Sequence, residues 1–236
     1  IETGKHLDQK MWLMYIFLKR FFDIIASLVA IIILSPILTP VVIGLLLTGE
    51  NYVFYLQERI GYKNKKFKIY KFATMLKNSP NIGTGLHTTL KDPRILPMGG
   101  FLRKTKINEL PQLLNILFGS MSVIGPRPLV DKTFEPYPDI VKKNIYNVKP
   151  GLSGIGSIVF RNEEELLSRS KIPMSEFYSK YISPYKGDLE IWYQKKISFY
   201  TDFMIIFLTI WVVFSPKSDL VFRLFKDLPE KPVFLK

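Results

Sequence analysis

The chain has 236 residues and a formal net charge of +13, with 33 lysine and arginine residues against 20 aspartate and glutamate residues and no cysteine. The absence of cysteine excludes disulfides and thiolate metal sites, and this length favours one catalytic domain with appendages. Hydrophobic residues make up 47% of this basic chain, so apolar and charged stretches must be segregated, which indicates a membrane-associated protein.

The amino-terminal segment is predicted to cover residues 1–18. Because the chain begins at Ile1 and not at Met, residues 1–8 are treated as an expression remnant. Residues 24–49 then carry no charge and are mostly Ile, Leu, Val and Ala. A run of this length can span a bilayer.

Two prolines interrupt this apolar run. Ser35-Pro36 lies near its middle and Pro40 follows one turn later, so each half would be a helix of roughly 18 Å against a hydrocarbon core of about 30 Å. Lysine and arginine flank the run on both sides, and the positive-inside rule places both flanks in the cytoplasm. We therefore predict a re-entrant helix-break-helix over residues 19–50, with Ser35 bonding a carbonyl that the prolines free. A proline-kinked helix that spans the membrane is the alternative.

A β-hairpin is predicted next, within a cytoplasmic-face catalytic domain over residues 51–200. Residues 51–75 alternate aromatic and polar side chains around Gly61-Tyr62-Lys63-Asn64, which is typical of two short strands and a turn. Residues 78–89 contain glycine, proline and threonine without periodicity, which predicts a mobile loop.

A helix is predicted over residues 107–117, where four leucines recur at helical spacing and Pro111 is tolerated only near the helix start. Asn108 and Glu109 then lie at the first turn, where free N–H groups and the helix dipole favour a phosphate. Glu109 is a candidate ligand for a hard cation such as Mg²⁺. The alternative is a carboxylate that only complements the dipole.

The last segment, residues 201–236, is predicted to hold an interfacial apolar helix and a basic tail. Its apolar stretch, Phe203 to Phe214, is too short to span a bilayer, so a helix lying in the membrane interface is favoured. A buried helix of a soluble core is the alternative. The fold class expected from these elements is α+β: a mostly helical, membrane-associated catalytic domain with a re-entrant helix, a short hairpin and interfacial amphipathic helices.

The candidate substrate ligands are residues whose side chains suit phosphate oxygens, although most basic residues in such a chain are solvated or lipid-facing. They are Lys71, Arg103, Arg59, Arg127 and Arg94 with its neighbour Asp92. Pro126 and Pro128 fix the backbone on either side of Arg127 and so pre-organise its side chain. No nucleic-acid partner is expected, because the sequence holds no zinc-finger spacing, helix-turn-helix signal or base-stacking platform.

Eight motifs resemble, in order and spacing, the bacterial sugar transferases that are monotopic phosphoglycosyl transferases. They are KRFFD (19–23), SP (35–36), QERIG (57–61), FKIYKF (67–72), DPRI (92–95), FLRK (101–104), ELPQL (109–113) and GSMSVIGPRPL (119–129). The resemblance covers roughly residues 19–214 and indicates the short catalytic form of the family. It adds Gln112, within ELPQL, to the candidate substrate ligands.

The resemblance implies a reaction: a sugar 1-phosphate moves from a UDP-sugar to polyprenyl phosphate, such as undecaprenyl phosphate, with Mg²⁺ as cofactor and UMP as product. It implies the bacterial inner membrane, with the catalytic domain on its cytoplasmic face, as the location. Membrane lipids are expected partners, and the resemblance leaves room for a homodimer and for downstream glycosyltransferases. In such enzymes an Asp-Glu pair supplies a carboxylate nucleophile and a metal ligand.

This sequence departs from that pair, because Asn108 stands at the position of the aspartate while Glu109 matches the glutamate. A neutral amide is a very poor nucleophile. Glu109 itself could be the nucleophile, the change could trap a substrate state, or transfer could be direct. A catalytically impaired, membrane-anchored protein that binds UDP-sugar or a partner glycosyltransferase is the main alternative, and a basic protein tethered to anionic membrane is a third.

Overall fold

The computed structural model describes residues 9–48, 50–79, 92–216 and 218–235. Its helices are α1 (Gln9–Leu47), α2 (Gly99–Lys104), α3 (Gln112–Phe118), α4 (Asp131–Phe134), α5 (Asp139–Asn144), α6 (Ile155–Val159), α7 (Glu163–Ser168), α8 (Met174–Phe177), α9 (Ser183–Lys195), α10 (Phe199–Phe214) and α11 (Leu220–Leu224). Its strands are β1 (Phe54–Ile60), β2 (Lys66–Phe72), β3 (Ser122–Ile124) and β4 (Gly151–Ser153). The prediction of a mostly helical chain with a small amount of sheet is confirmed. The predicted loop at residues 78–89 lies outside the described residues from position 80 onward.

α1 is continuous through Pro36 and Pro40. The predicted interruption at Ser35-Pro36 is therefore wrong as secondary structure, because a proline removes only one helical donor and the Ser35 hydroxyl bonds the carbonyl of Ile32 nearby. Among the described residues, α1 is the one helix that is long and apolar enough to cross a membrane. The side chains of Phe17, Ile32 and Ile33 are more than 60% exposed, so this apolar surface is not covered by the chain.

The chain divides into two compact units, and each is built from separated stretches. Unit 1 holds the described residues of Ile1–Asp23, Arg59–Phe67 and Gly119–Lys236. Unit 2 holds Ile24–Glu58 and the described residues of Lys68–Phe118. The predicted segments 1–18, 19–50, 51–200 and 201–236 describe membrane and catalytic roles, and those assignments stay predictions.

The hairpin is confirmed: β1 pairs with β2, and a 3-10 turn, Tyr62–Asn64, joins them. Lys63 and Asn64 have left-handed backbones, with φ of 55° and 57°. Asparagine tolerates this conformation better than most residues, which explains why the GYKN sequence indicated the turn correctly.

Unit 2 has a small apolar core in which α1, β2 and α2 contribute Val41, Leu45, Phe72 and Leu102. The helix predicted over residues 107–117 is divided here into a 3-10 turn, Ile107–Glu109, and α3, which begins after Pro111. Proline has no N–H to donate, so the α-helical hydrogen bonds start beyond it. Asn108 and Glu109 consequently lie in the turn before α3 and not in its first turn.

Unit 1 holds the larger core, which is packed around a parallel pair of strands. β3 pairs with β4, Ser122 opposite Gly151 and Ile124 opposite Ser153. Helices α6, α9 and α10 add fully buried apolar side chains, among them Ile155, Leu189 and Ile205. This core fixes the chain that follows β3, where the GPRPL sequence lies.

α10 presents two different faces. Ile205, Leu208 and Val212 are buried in the core of unit 1, whereas Phe203 and Phe214 are 67% and 80% exposed. The buried residues recur at helical spacing, so one stripe packs on the unit and the opposite stripe is apolar and uncovered. The helix is therefore neither fully buried nor detached from the core.

Candidate active site

The centre of the candidate site in unit 2 is an ion pair between β2 and the 3-10 turn before α3. Lys71 Nζ donates to Glu109 Oε1 at 3.2 Å, and the side chains are 15% and 26% exposed. The two residues are 38 positions apart in sequence. A partly buried ion pair interacts more strongly than one at the surface, because water screens it less. The fold thus brings together the lysine and the glutamate that the sequence singled out.

The turn that carries Glu109 begins at Lys106, whose backbone is left-handed with φ of 61°. Glu109 N donates to Lys106 O at 3.1 Å, and Leu110 N donates to Ile107 O at 3.1 Å. Pro111 follows and ends the turn at the start of α3. These constraints hold Glu109 at a fixed point between two elements.

Asn108 lies beside Glu109 and contributes an unsatisfied acceptor. Its Oδ1 atom is buried and has no hydrogen-bond partner among the described residues. A buried acceptor without a donor costs about 1–3 kcal/mol, which a bound donor or cation would offset. Asn108 therefore contributes a buried amide oxygen without a donor in the same 3-10 turn as Glu109, and amide and carboxylate oxygens are both ligands that suit a hard cation.

Asn115 is a positioning residue that the sequence-based prediction missed. It is buried on α3, where its Oδ1 accepts from Tyr70 N at 2.8 Å and its Nδ2 donates to Lys68 O at 2.9 Å. Both partners are on β2, one and three residues before Lys71. The amide therefore attaches α3 to the strand that carries the lysine. A polar residue between buried Leu113 and Ile116 was the available signal.

Asp92 and Arg94 form a buried clasp. The Arg94 guanidinium donates to Asp92 through Nε at 2.8 Å and Nη2 at 2.6 Å, and Nη1 donates to Ser79 O at 2.7 Å. Both side chains are 3% exposed. The Arg94 guanidinium thus makes these hydrogen bonds to other groups of the protein. A role for Asp92 and Arg94 as substrate ligands stays a prediction.

Arg103 and Gln112 are also part of unit 2. Arg103 lies in the last turn of α2, and its Nη1 donates to Met75 Sδ at 3.4 Å. Gln112 starts α3 and is 5% exposed. Their roles as substrate ligands likewise stay predictions.

The GPRPL turn in unit 1 is held by hydrogen bonds at three successive carbonyls. Gly151 N donates to Pro126 O at 2.8 Å, the Tyr146 hydroxyl donates to Arg127 O at 2.8 Å, and Arg59 Nη1 donates to Pro128 O at 3.3 Å. Pro126 and Pro128 are buried, while Arg127 is exposed. The backbone is thus fixed and the guanidinium is presented outward.

Close contacts between main-chain segments also fix the GPRPL turn. A Cβ atom at Gly125 would lie 2.4 Å from Lys149 O, and one at Gly154 would lie 2.2 Å from Gly125 O. Side chains there would collide with main chain that cannot move aside. The glycines around β3 and β4 are therefore explained by packing.

A family model described as bacterial sugar transferase matches residues 14–216. The chain belongs to this family. The resemblance inferred from the sequence motifs is confirmed at the family level.

This bacterial sugar transferase is similar to three named relatives. It is 34% identical over 205 residues to a UDP-glucose:undecaprenyl-phosphate glucose-1-phosphate transferase of Klebsiella pneumoniae, which covers 85% of this chain and 41% of that protein. It is 34% identical over 211 residues to an undecaprenyl-phosphate galactose phosphotransferase of Salmonella typhimurium, covering 84% and 40%. It is 37% identical over 166 residues to the exopolysaccharide production protein ExoY of Sinorhizobium fredii, covering 64% and 73%. The chain thus spans about two fifths of the length of the first two relatives.

The oxygen donors of this sugar transferase can be compared with the needs of Mg²⁺, the cation that the motif resemblance implies. Within the described ranges, no group of three or more carboxylate or histidine side chains could hold a metal ion by itself. Mg²⁺ is commonly bound by one or two protein carboxylates together with substrate phosphates. Glu109 and the unpartnered oxygen of Asn108 fit that manner of binding.

Proposed function

We propose that this bacterial sugar transferase moves a sugar 1-phosphate from a UDP-sugar to undecaprenyl phosphate and releases UMP. The observation that carries the proposal is the Lys71–Glu109 ion pair, together with the unpartnered amide oxygen of Asn108 in the same 3-10 turn as Glu109. These residues supply a cation, a carboxylate and an oxygen ligand, which are the groups needed to bind and attack a diphosphate. The names of the Klebsiella and Salmonella relatives support the same reaction class.

The reaction can proceed through Glu109 in two steps. A carboxylate oxygen of Glu109 attacks the sugar-linked phosphorus, the phosphoanhydride bond breaks, and its electron pair leaves on UMP. A phosphate oxygen of undecaprenyl phosphate then attacks the same phosphorus and expels Glu109 as a carboxylate. In a one-step route that oxygen attacks the donor directly, and the same bonds are exchanged overall.

Each residue has a distinct task in either route. Lys71 orients Glu109 and balances charge on the diphosphate. Asn108 carries no charge at neutral pH, so it positions a ligand and does not attack phosphorus. Bound Mg²⁺ would supply further charge compensation to the phosphate oxygens. Glu109 and Asn108 are the residues that would hold it.

Arg127 is the candidate for binding nucleotide phosphates within unit 1. Its exposed guanidinium projects from a backbone whose carbonyls at Pro126, Arg127 and Pro128 are all hydrogen-bonded. A rigid backbone lowers the entropy lost when the side chain binds an anion.

A second candidate function follows from Asn108. Without an aspartate at this position, the protein could bind UDP-sugar at the membrane and transfer nothing. The two functions differ in their dependence on Glu109: transfer requires its charge, whereas binding alone tolerates an isosteric amide.

The deciding experiment combines turnover and intact mass. Purified protein is incubated with Mg²⁺, undecaprenyl phosphate and a panel of UDP-sugars, and UMP release is measured. We expect release with at least one donor and its loss in Glu109→Gln, with Glu176→Gln, an exposed glutamate on α8, as the matched control. A phosphosugar adduct on Glu109, found by intact mass after donor is added alone, would assign the two-step route.

Asn108→Asp separates the two functions. If the natural chain releases no UMP with any donor of the panel and Asn108→Asp does release it, the result would contradict transfer by the natural chain and support the binding function. UMP release by both the natural chain and Asn108→Asp would support transfer, with Glu109 as the essential carboxylate.

The re-entrant course of α1 at the cytoplasmic membrane is part of the proposal. At 39 residues, α1 is about 58 Å long, nearly twice the hydrocarbon thickness of about 30 Å. Prolines are the usual cause of sharp helix bends, and both flanks are basic. A bend near Pro36 would thus return α1 to the cytoplasmic face, while the exposed stripe of α10 lies in the interface.

The cysteine-free sequence allows a direct test of this topology. Single-cysteine variants Gln9→Cys and Lys65→Cys are exposed to an impermeant maleimide in intact spheroplasts and after lysis. Protection of both sites until lysis supports the re-entrant course. Labelling of one site in intact spheroplasts would instead establish a spanning helix.

A further inference from the structure

The carboxyl-terminal segment, residues 218–235, follows α10 in unit 1 and lies outside the range that the family model matches. It holds α11 and a short 3-10 turn, Val233–Leu235. The indole of Trp211 on α10 donates to Ser218 Oγ at 2.9 Å through Nε1. The carboxyl-terminal segment is therefore attached to α10 where it begins.

The middle of this segment packs on α9. The ring of Phe225 lies 5.0 Å from the ring of Trp192, measured between centroids, and both side chains are buried. The Tyr185 hydroxyl, also on α9, donates to Pro229 O at 2.9 Å. Phe225 therefore belongs to the core of unit 1, and the bond from Tyr185 adds a polar contact.

The last part of the segment contacts a π-helical turn, Tyr178–Ile182, that joins α8 to α9. The ring of Phe234 lies 5.8 Å from the ring of Phe177, directly before the turn, and 5.9 Å from that of Tyr181, within it. Phe177 and Tyr181 lie 5.1 Å from each other. Phe234 thus completes a cluster of three rings. Single π-helical turns are rare and are found frequently at functional sites.

The π-helical turn in turn holds the chain that follows GPRPL. The Tyr178 hydroxyl donates to Thr133 O at 3.2 Å. Ser183 Oγ, directly after the turn, donates to Pro136 O at 3.1 Å. Both acceptors lie in α4 or just beyond it. Two side-chain hydrogen bonds therefore attach the π-helical turn to the α4 region.

The aromatic ring at the end of α4 continues these contacts to the GPRPL turn. Phe134 is buried and stacks on Tyr146, with ring centroids 5.9 Å apart. The Tyr146 hydroxyl donates to Arg127 O and accepts from Leu129 N. A continuous series of contacts within unit 1 therefore runs from Phe234 to the backbone of Arg127.

We propose that the carboxyl-terminal segment is a strap that positions Arg127 for nucleotide binding by holding the π-helical turn against α4. The inference rests on the proposed function, because it takes Arg127 as a ligand of nucleotide phosphates. Phe234 is the positioning residue of the strap. Without its ring, the π-helical turn and α4 would be held by fewer contacts, and Arg127 would lose more conformational entropy on binding a phosphate.

Hydrogen–deuterium exchange of the full chain in nanodiscs tests the strap without any ligand. In Phe234→Ala, we expect the amides of residues 131–137 and 178–182 to exchange about tenfold faster, because the loss of ring contacts favours local opening. Val233→Ala is the matched control, since the neighbouring valine is 82% exposed. Tyr185→Phe keeps the ring contacts and should also exchange as the natural chain does. Amides of α3 in unit 2 serve as the reference for global unfolding.

Calorimetric titration with UDP in the presence of Mg²⁺ tests the effect on Arg127 without turnover. Phe234→Ala should weaken UDP binding about threefold or more, and Phe234→Tyr, which keeps the ring, should restore it. Tyr178→Phe should reproduce the weakening with the strap in place, because it removes the hydrogen bond to Thr133 O. Arg127→Gln is the reference for loss of the phosphate ligand itself.

The two measurements separate the strap from the proposed function. Equal exchange at residues 131–137 in Phe234→Ala and Val233→Ala would overturn the strap. Equal UDP affinity in these two variants, with weaker binding in Arg127→Gln, would overturn the positioning of Arg127. If Arg127→Gln binds UDP as tightly as the natural chain, the proposed role of Arg127 is wrong, and the exchange result still decides for or against the strap.

Discussion

The Ser35 hydroxyl donates a 2.8 Å hydrogen bond to the carbonyl oxygen of Ile32. Pro36 is the residue four positions after Ile32 and has no N–H, so Ser35 replaces the donor that the proline lacks. In hydrocarbon, a carbonyl without a donor is costly because no water can replace it. The serine before the proline therefore preserves the helix at a point where the sequence predicted a break.

Ser35→Ala should destabilise the protein by about 0.5–1.5 kcal/mol, since it removes one hydrogen bond whose acceptor has no helical donor. Thermal unfolding in nanodiscs measures the loss. Ser168→Ala is the matched control, because Ser168 Oγ also bonds a carbonyl three residues earlier, that of Glu165. Arg169 N donates to the same oxygen at 3.1 Å, so this substitution should change stability little. Equal effects in the two variants would contradict the special role of Ser35.

The sequence predicts those elements whose conformation depends on residues close together in the chain. The hairpin was predictable because Lys63 and Asn64 take the left-handed conformations that its turn requires. The helix over residues 107–117 was predicted too long at its start, because leucine spacing does not reveal a 3-10 turn before Pro111. The continuity of α1 is not readable from the sequence, because two prolines predict a break and only the structure shows that Ser35 Oγ donates to Ile32 O within an unbroken helix.

Pairings between distant residues could not be predicted from spacing. Lys71 and Glu109 were each proposed on chemical grounds, but only the packing of β2 and α3 brings them to 3.2 Å. Asn115 is not predictable as a positioning residue, because a single asparagine among leucines matches no motif. Its importance lies in two backbone bonds to a strand more than forty residues earlier.

Asn115→Ala should lower kcat of the proposed transfer about tenfold while KM for the UDP-sugar changes less. The substitution removes both hydrogen bonds that attach α3 to β2, and small displacements of reacting groups reduce rates strongly. It should also cost about 1–3 kcal/mol of stability. Steady-state kinetics below the unfolding temperature separate the two effects. Asn144→Ala removes a surface bond to Ile140 O on α5 and should leave kcat unchanged, and a matching fall in its kcat would contradict a positioning role for Asn115.

Tyr146→Phe should raise KM for the UDP-sugar severalfold and lower stability by about 1–3 kcal/mol. The buried hydroxyl donates to Arg127 O and accepts from Leu129 N at 3.0 Å, so its loss frees the turn on both sides of Pro128. Tyr185→Phe is the control, because its hydroxyl donates to Pro229 O at 2.9 Å, away from that turn. A KM unchanged in Tyr146→Phe would show that the turn does not govern donor binding.

Glu190 on α9 is buried at 2% exposure, and its Oε2 atom has no partner in the described part of the chain. Burial raises the pKa of its carboxyl from its usual 4.5 to about 8, against the opposing effects of Lys186 and a hydrogen bond from Gly156 N. Tyr137 and Tyr146 are its other titratable neighbours. The folded state therefore holds a proton on Glu190 at a pH where the unfolded chain has released it.

This difference fixes the sign of a pH effect on stability. Between pH 4.5 and about 8, the folded state binds more protons than the unfolded state, so the contribution of Glu190 is greatest below pH 4.5 and is lost as pH rises through 8. Glu190→Gln keeps the shape and carries no charge, so it should flatten the fall in unfolding free energy across this window and be the more stable chain at pH 8. Denaturant unfolding of both chains from pH 5 to 9 measures the slopes, with Glu176→Gln as the exposed control. Because a neutral carboxyl and an amide differ little at pH 5, the curves should converge there, and parallel curves over the whole range would mean that Glu190 is ionised in the folded protein.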